Sequence, residues 1–113
     1  MHELGVIAGI LKTIEKTMID RDLAEVETIV LQVGEFSGVI PDFLEDCFPA
    51  AVYGTKFEKT KLKLEMVPGL VRCDACGLEF NARIHSFKCP GCGSKDLSVL
   101  SGREFLIKEI HAY

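Results

Sequence analysis

A chain of 113 residues is the size of one domain, or of one α/β unit carrying a small satellite. With 48% apolar residues and a mean hydropathy of +0.22 it is not a charge-driven disordered chain. The formal net charge is −4, and the one lysine cluster (Lys56, Lys59, Lys61, Lys63) is broken by Glu58 and bordered by Glu65, which argues against a phosphate-tracking surface and a nucleic-acid partner. No apolar run reaches the roughly 18 residues of a membrane span. The opening Met-His-Glu-Leu has neither a basic leader nor a small-residue cleavage site, so a cytoplasmic protein without a membrane partner is expected.

Leu4, Ile7, Ile10, Leu11, Ile14 and Met18 recur at three- and four-residue steps, which predicts an amphipathic helix starting near residue 4 and ending in the charged turn Asp20–Asp22. Val26–Val33 is rich in β-branched residues and reads as a strand with Ile29, Leu31 and Val33 on one face. Residues 34–38 form a loop in which Gly34 and Glu35 are explained equally by a docking loop and by a simple turn with a solvated acid. Pro41-Asp42 suits the first turn of a second helix, with Phe43, Leu44, Cys47, Phe48, Ala51 and Val52 as its buried stripe. Pro49 lies inside that pattern and predicts a kink or split there.

Leu62, Leu64 and Met66 alternate with charged residues as in a half-buried strand, stopped by Pro68-Gly69. After the cysteines, Leu97–Leu100 and Glu104–Ala112 are extended in character, joined by a turn or bulge at Ser101-Gly102, with Leu106 and Ile110 expected to be buried against the earlier elements. The expected fold is α+β: two helices on a small mixed sheet, formed by residues 1–69 plus 96–113, with an inserted zinc-ribbon-like unit at residues 70–95.

Cys73, Cys76, Cys89 and Cys92 form two Cys-x-x-Cys pairs, each followed by glycine (Gly77, Gly93). Two such turns present four thiolates to one tetrahedral ion, and the glycines allow the left-handed backbone that the knuckle requires. Zinc is the expected ion, with a structural role: a closed four-thiolate shell leaves no position for water or substrate. A thioredoxin-like redox pair would need a single Cys-x-x-Cys at a helix N-terminus instead. His85 matches neither knuckle spacing and reads as an exposed loop residue, and Cys47 reads as core.

The other end of the sequence offers a chelate, though sequence chemistry alone does not make it a metal site. The amine of Met1, the backbone amide of His2 and its imidazole Nδ1 close adjacent five- and six-membered chelate rings in one plane, the geometry that suits Ni(II) or Cu(II). Glu3 is placed to add an oxygen or to orient a ligand. The bland alternative is a frayed, solvated histidine. His111 reads as an exposed strand-end residue.

Met1-His2-Glu3-Leu4, Val33-Gly34-Glu35, Phe36-Ser37-Gly38-Val39, Cys47-Phe48 and the two knuckles together resemble the HypA/HybF hydrogenase nickel-incorporation family over essentially the whole chain. The resemblance implies a metallochaperone, not an enzyme, that binds nickel through Met1, His2 and Glu3 and holds structural zinc at Cys73, Cys76, Cys89 and Cys92. It also implies a nickel-binding GTPase partner and delivery to the hydrogenase large-subunit precursor, or in some bacteria to urease, and it allows a homodimer. On the same resemblance alone, Asp42 is a weak candidate for a further oxygen ligand. A nucleic-acid-binding zinc ribbon and a metal-stapled adaptor are the competing classes. The first is disfavoured because Arg72, Arg83, Lys88 and Lys95 are interspersed with Asp74, Glu79 and Asp96.

Overall fold

The computed structural model describes residues 3–113, with side chains from Leu4 onward. Helix α1 (Glu3–Asp20) and helix α2 (Pro41–Val52) alternate with strands β1 (Val26–Gly34) and β2 (Lys61–Val67). Three short strands follow, β3 (Leu70–Cys73), β4 (Glu79–Asn81) and β5 (Leu97–Val99), before the long β6 (Phe105–Ala112). The strands form two sheets, ordered β2-β1-β6 and β4-β3-β5. In the first, β1 runs parallel to β2 and antiparallel to β6, so the sheet is mixed as expected. The molecule measures 54 × 26 × 18 Å, with a radius of gyration of 17.7 Å. A compact chain of this length has about 13 Å, so the excess marks two lobes end to end.

The first lobe is built on strand β1, whose Ile29, Leu31 and Val33 lie inside against Ile7, Leu11, Ile14 and Met18 of α1 and Leu44, Phe48 and Val52 of α2. Each fully buried Ile or Leu contributes roughly 1.5–3 kcal/mol relative to exposure. Helix α1 ends in a paired closure: the Leu23 amide donates to the Met18 carbonyl at 2.8 Å and the Asp22 amide to Ile19 at 3.3 Å, with Asp22 left-handed at φ 53°. Leu4 and Phe43, assigned by periodicity to the buried stripes, are 48% and 49% exposed. Periodicity gives a side chain's direction but not how far the opposing surface extends. Cys47 is half-buried against the same core.

Helix α2 is not split: it runs as one helix from Pro41 to Val52, Pro49 included. Glu45, whose carbonyl loses its donor to the proline ring, and Pro49 itself are both on the exposed side, where the freed oxygen is not forced into the core. The expectation for β6 also needs correction. Ile110 packs on the core as expected, but Leu106 is 45% exposed, and Phe105, Ile107 and Ala112 turn to the core with Ile110. The register against β1 slips between Val30 and Leu31, so one extra β6 residue breaks the two-residue alternation.

Residues 97–99 pair with β3, so the two extended segments joined at Ser101-Gly102 belong to two different sheets. Between them Gly102 is left-handed at φ 105° and packs against Gly69, while a side chain at Gly34 would fall on the Gly102 carbonyl. These contacts place the ends of β1, β2 and β5 against one another.

Candidate metal centre

The second lobe has a small core of its own: Val71, Cys73, Phe80, Ala82 and Cys89, with Phe36 and Leu97 against it. Strand β3 delivers Cys73 at its end, and a tight turn follows in which the Gly77 amide donates to the Cys73 carbonyl at 2.8 Å. The second pair repeats the construction, the Gly93 amide donating to the Cys89 carbonyl at 2.9 Å. Gly77 and Gly93 are left-handed at φ 79° and 77°, the conformation that a knuckle requires at these positions.

The four sulfurs converge. Cys73 Sγ lies 3.5 Å from Cys92 Sγ, and Cys76 Sγ lies 3.5 Å from Cys89 Sγ. All four ligand atoms lie within 4.8 Å of one another. A zinc–sulfur distance of about 2.3 Å puts the edge of a regular tetrahedron at about 3.8 Å, so this donor set fits one tetrahedral, thiophilic ion with only small adjustment. Cys73 and Cys89 are buried and Cys76 and Cys92 face solvent, each turn giving one sulfur of either kind.

Backbone amides prepare the inner pair to ionise. The Cys76 amide, aimed back at Cys73 and seconded by that of Ala75, holds the Cys73 thiol below its ordinary range. The Cys92 amide, with that of Gly91, brings Cys89 down to about 6. The outer thiols move the other way. The Leu78 amide pulls Cys76 down, but the contact with Cys89 and burial outweigh it and push the thiol up to about 12. Cys92 is likewise pulled by the Ser94 amide and raised more strongly by its contact with Cys73. A cation among the four removes this inequality by replacing the shared protons.

Met1 and His2, and the Glu3 side chain, lie outside the described residues, and the expected nickel site lies outside them too. Glu3 is the first residue of α1. Asp42 is exposed in the first turn of α2. His85 is exposed and takes no part in the sulfur cluster; its ring meets Phe80 edge-on at 5.6 Å. His111 faces Glu109 across 3.3 Å on β6.

Glu35 is the residue whose role the sequence did not reveal. Its Oε1 accepts the Gly69 amide at 2.8 Å and Asn81 Nδ2 at 3.1 Å, and its Oε2 lies 3.7 Å from Arg83 Nη1. The carboxylate at the end of β1 thus ties the first lobe to the metal-binding lobe. The only local hint is an acid directly after a buried glycine, too weak to separate a latch from a solvated turn.

Among the described residues no helix is long and apolar enough to cross a membrane. The family model described as "Hydrogenase/urease nickel incorporation, metallochaperone, hypA" matches residues 1–112. The hydrogenase maturation factor HypA of Geobacter metallireducens is 37% identical over 110 residues, covering 97% of each chain. That of Geobacter sp. strain M21 is 40% identical over 110 residues, again covering 97% of each chain. The solution structure of the nickel metallochaperone HypA from Helicobacter pylori superposes with a TM-score of 0.65 at 19% identity, over 99% of this chain and 97% of that one, a likeness of fold. With the mixed sheet, the two helices and the four converging cysteines already in place, a match from the first residue almost to the last leaves one assignment: the chain belongs to the HypA family of nickel-incorporation metallochaperones.

Proposed function

We propose that this chain carries Ni(II) on Met1, His2 and Glu3 and delivers it to the hydrogenase large-subunit precursor during maturation, with zinc held by Cys73, Cys76, Cys89 and Cys92 as a structural ion. The observation that carries the reading is the reach of the family match, residues 1–112, which takes in both the Met-His-Glu opening and all four cysteines. The amine of Met1, the amide and imidazole of His2 and an oxygen of Glu3 make a nitrogen-rich, planar donor set for the cargo ion. Such ligands release protons on binding, so acid favours release. Zinc supplies the charge that holds four thiolates together; the residues of the two knuckles do the rest by aiming amides at the sulfurs.

Transfer to a nickel-binding GTPase, in the cytoplasm where the thiols stay reduced, completes the reading, and the protein is a carrier, not a catalyst. Nickel titration of untagged chain tests it against two variants, His2→Ala and a chain with one glycine added ahead of Met1. Both are expected to lose tight, planar nitrogen-ligated nickel while retaining zinc. Unchanged nickel affinity in the extended chain would rule out the terminal amine as a ligand.

A further inference from the structure

Where the two lobes meet, Phe87 has a left-handed backbone, φ 59°, directly after Ser86 at φ 54°. Consecutive left-handed residues without glycine are costly, and for a bulky aromatic the conformation is a genuine outlier that persists only when the surroundings impose it. Here the Phe87 amide is fixed on the Ala82 carbonyl at 2.7 Å. The result is an aromatic ring held 53% exposed, 6.2 Å from the ring of Phe36, instead of buried in the small core beside it.

Phe36 and Phe87 form one wall of a groove of about 360 Å³ that continues over Leu97 and Val99 and carries Lys95 and Arg103 in its lining. Both cations are exposed, and no acid is among the residues that line the groove with them. Two cations bordering an apolar floor with no acid in the lining, on a chain of net charge −4, offer charge complementarity to an acidic partner.

We propose that this groove docks an acidic segment of a partner protein, one that seats an aliphatic or aromatic side chain between Phe36, Phe87, Leu97 and Val99 and sets carboxylates against Lys95 and Arg103. None of the four cysteines lines the groove, so it goes beyond metal carriage to the recognition of a partner. Phe87 is the hot spot of the site, a preset ring whose strain is offset by what it binds.

The test uses the full metal-loaded chain and a fluorescein-labelled peptide, Glu-Leu-Phe-Glu-Ile-Glu, with two controls: the same peptide with lysine for each glutamate, and one with serine for each apolar residue. Wild type is expected to bind the acidic peptide at least tenfold more tightly than either control, with affinity falling as salt is raised. Lys95→Glu/Arg103→Glu should weaken binding tenfold or more. Phe87→Gly suits the left-handed backbone, so the fold should be kept, as read by amide NMR spectra, while peptide binding is lost. Absence of binding to wild type, equal binding of the three peptides, or unchanged binding by Phe87→Gly would overturn the proposal. So would a wild-type dimer in sedimentation that Phe87→Gly dissolves, since the occupant would then be a second copy.

Discussion

Glu35 accepts the backbone amide of Gly69 at 2.8 Å, a bond between the turn after β1 and the segment leading from β2 into the second sheet. The same oxygen takes Asn81, and Arg83 stands beside the other, so one carboxylate engages the connecting segment and two positions of the second lobe. These contacts, the Gly69 amide first and then Asn81, hold the Glu35 carboxyl below its ordinary value of 4.5.

Removing the carboxylate leaves a half-buried amide and an Asn81 side chain without their acceptor, at about 1–3 kcal/mol. Glu35→Ala is therefore expected to lower the denaturation midpoint by that order at neutral pH, and Glu35→Gln by less, since its amide oxygen still accepts. A group whose folded pKa is depressed stabilises the fold above its unfolded value, and that contribution disappears as pH falls through the folded value. Carbon-13 NMR titration of the Glu35 carboxyl should give a midpoint below 4.5. A midpoint at or above it would mean that the latch is open in solution.

Gly34 should be intolerant of any side chain. Its amide donates to the Glu104 carbonyl at 2.6 Å, and a methyl group would collide with backbone of Gly102, which cannot swing aside as a side chain can. Gly34→Ala is expected to cost at least the 1–3 kcal/mol of an overpacked site, read by thermal melting. Gly69→Ala meets the Phe36 ring instead and should cost less, because a ring can move. Equal losses at the two positions would contradict this ordering of the junction.

Much of this architecture is written in local pattern. Spacing alone located both helices, β1 and β2, and the two Cys-x-x-Cys turns with their glycines marked four ligands whose sulfurs do converge. What escaped was decided by contacts distant in sequence. The β6 bulge exists because of register against β1, so Leu106 and Ile107 exchanged faces relative to simple alternation. Glu35 reaches residues 69, 81 and 83, none of which its neighbours announce. Phe87 has no glycine to flag its backbone, and residues 97–99 joined the second sheet through pairing with β3.

Pro49 offers a test of how α2 tolerates its own breaker. The helix continues to Val52, with the Tyr53 amide donating back to the Pro49 carbonyl at 3.1 Å, so the proline removes one donor without ending the helix. Pro49→Ala returns that donor to the Glu45 carbonyl on the exposed face. An interior proline costs roughly 3 kcal/mol, and losing its stiffening of the unfolded chain gives back about 0.4–1 kcal/mol. A net gain of about 2 kcal/mol in denaturant unfolding is expected, and a loss would show that the ring makes packing contacts that matter more than the missing bond.

The two lobes should differ in their dependence on metal. The first holds a continuous core across β1 and both helices, whereas the second buries only five residues, two of which are the sulfur ligands Cys73 and Cys89. So small a core does not offset the ordering entropy of two knuckles and three short strands, and on the proposed reading zinc supplies the difference. Chelation, or Cys73→Ser, is therefore expected to collapse the amide NMR dispersion of residues 70–99 while leaving that of residues 4–67 largely in place, and zinc should restore the wild type. The variant should also weaken the Glu35 latch, because Asn81 and Arg83 belong to the part that unfolds. Dispersed signals from residues 70–99 in metal-free protein would show that the sulfur cluster is not what holds this lobe together.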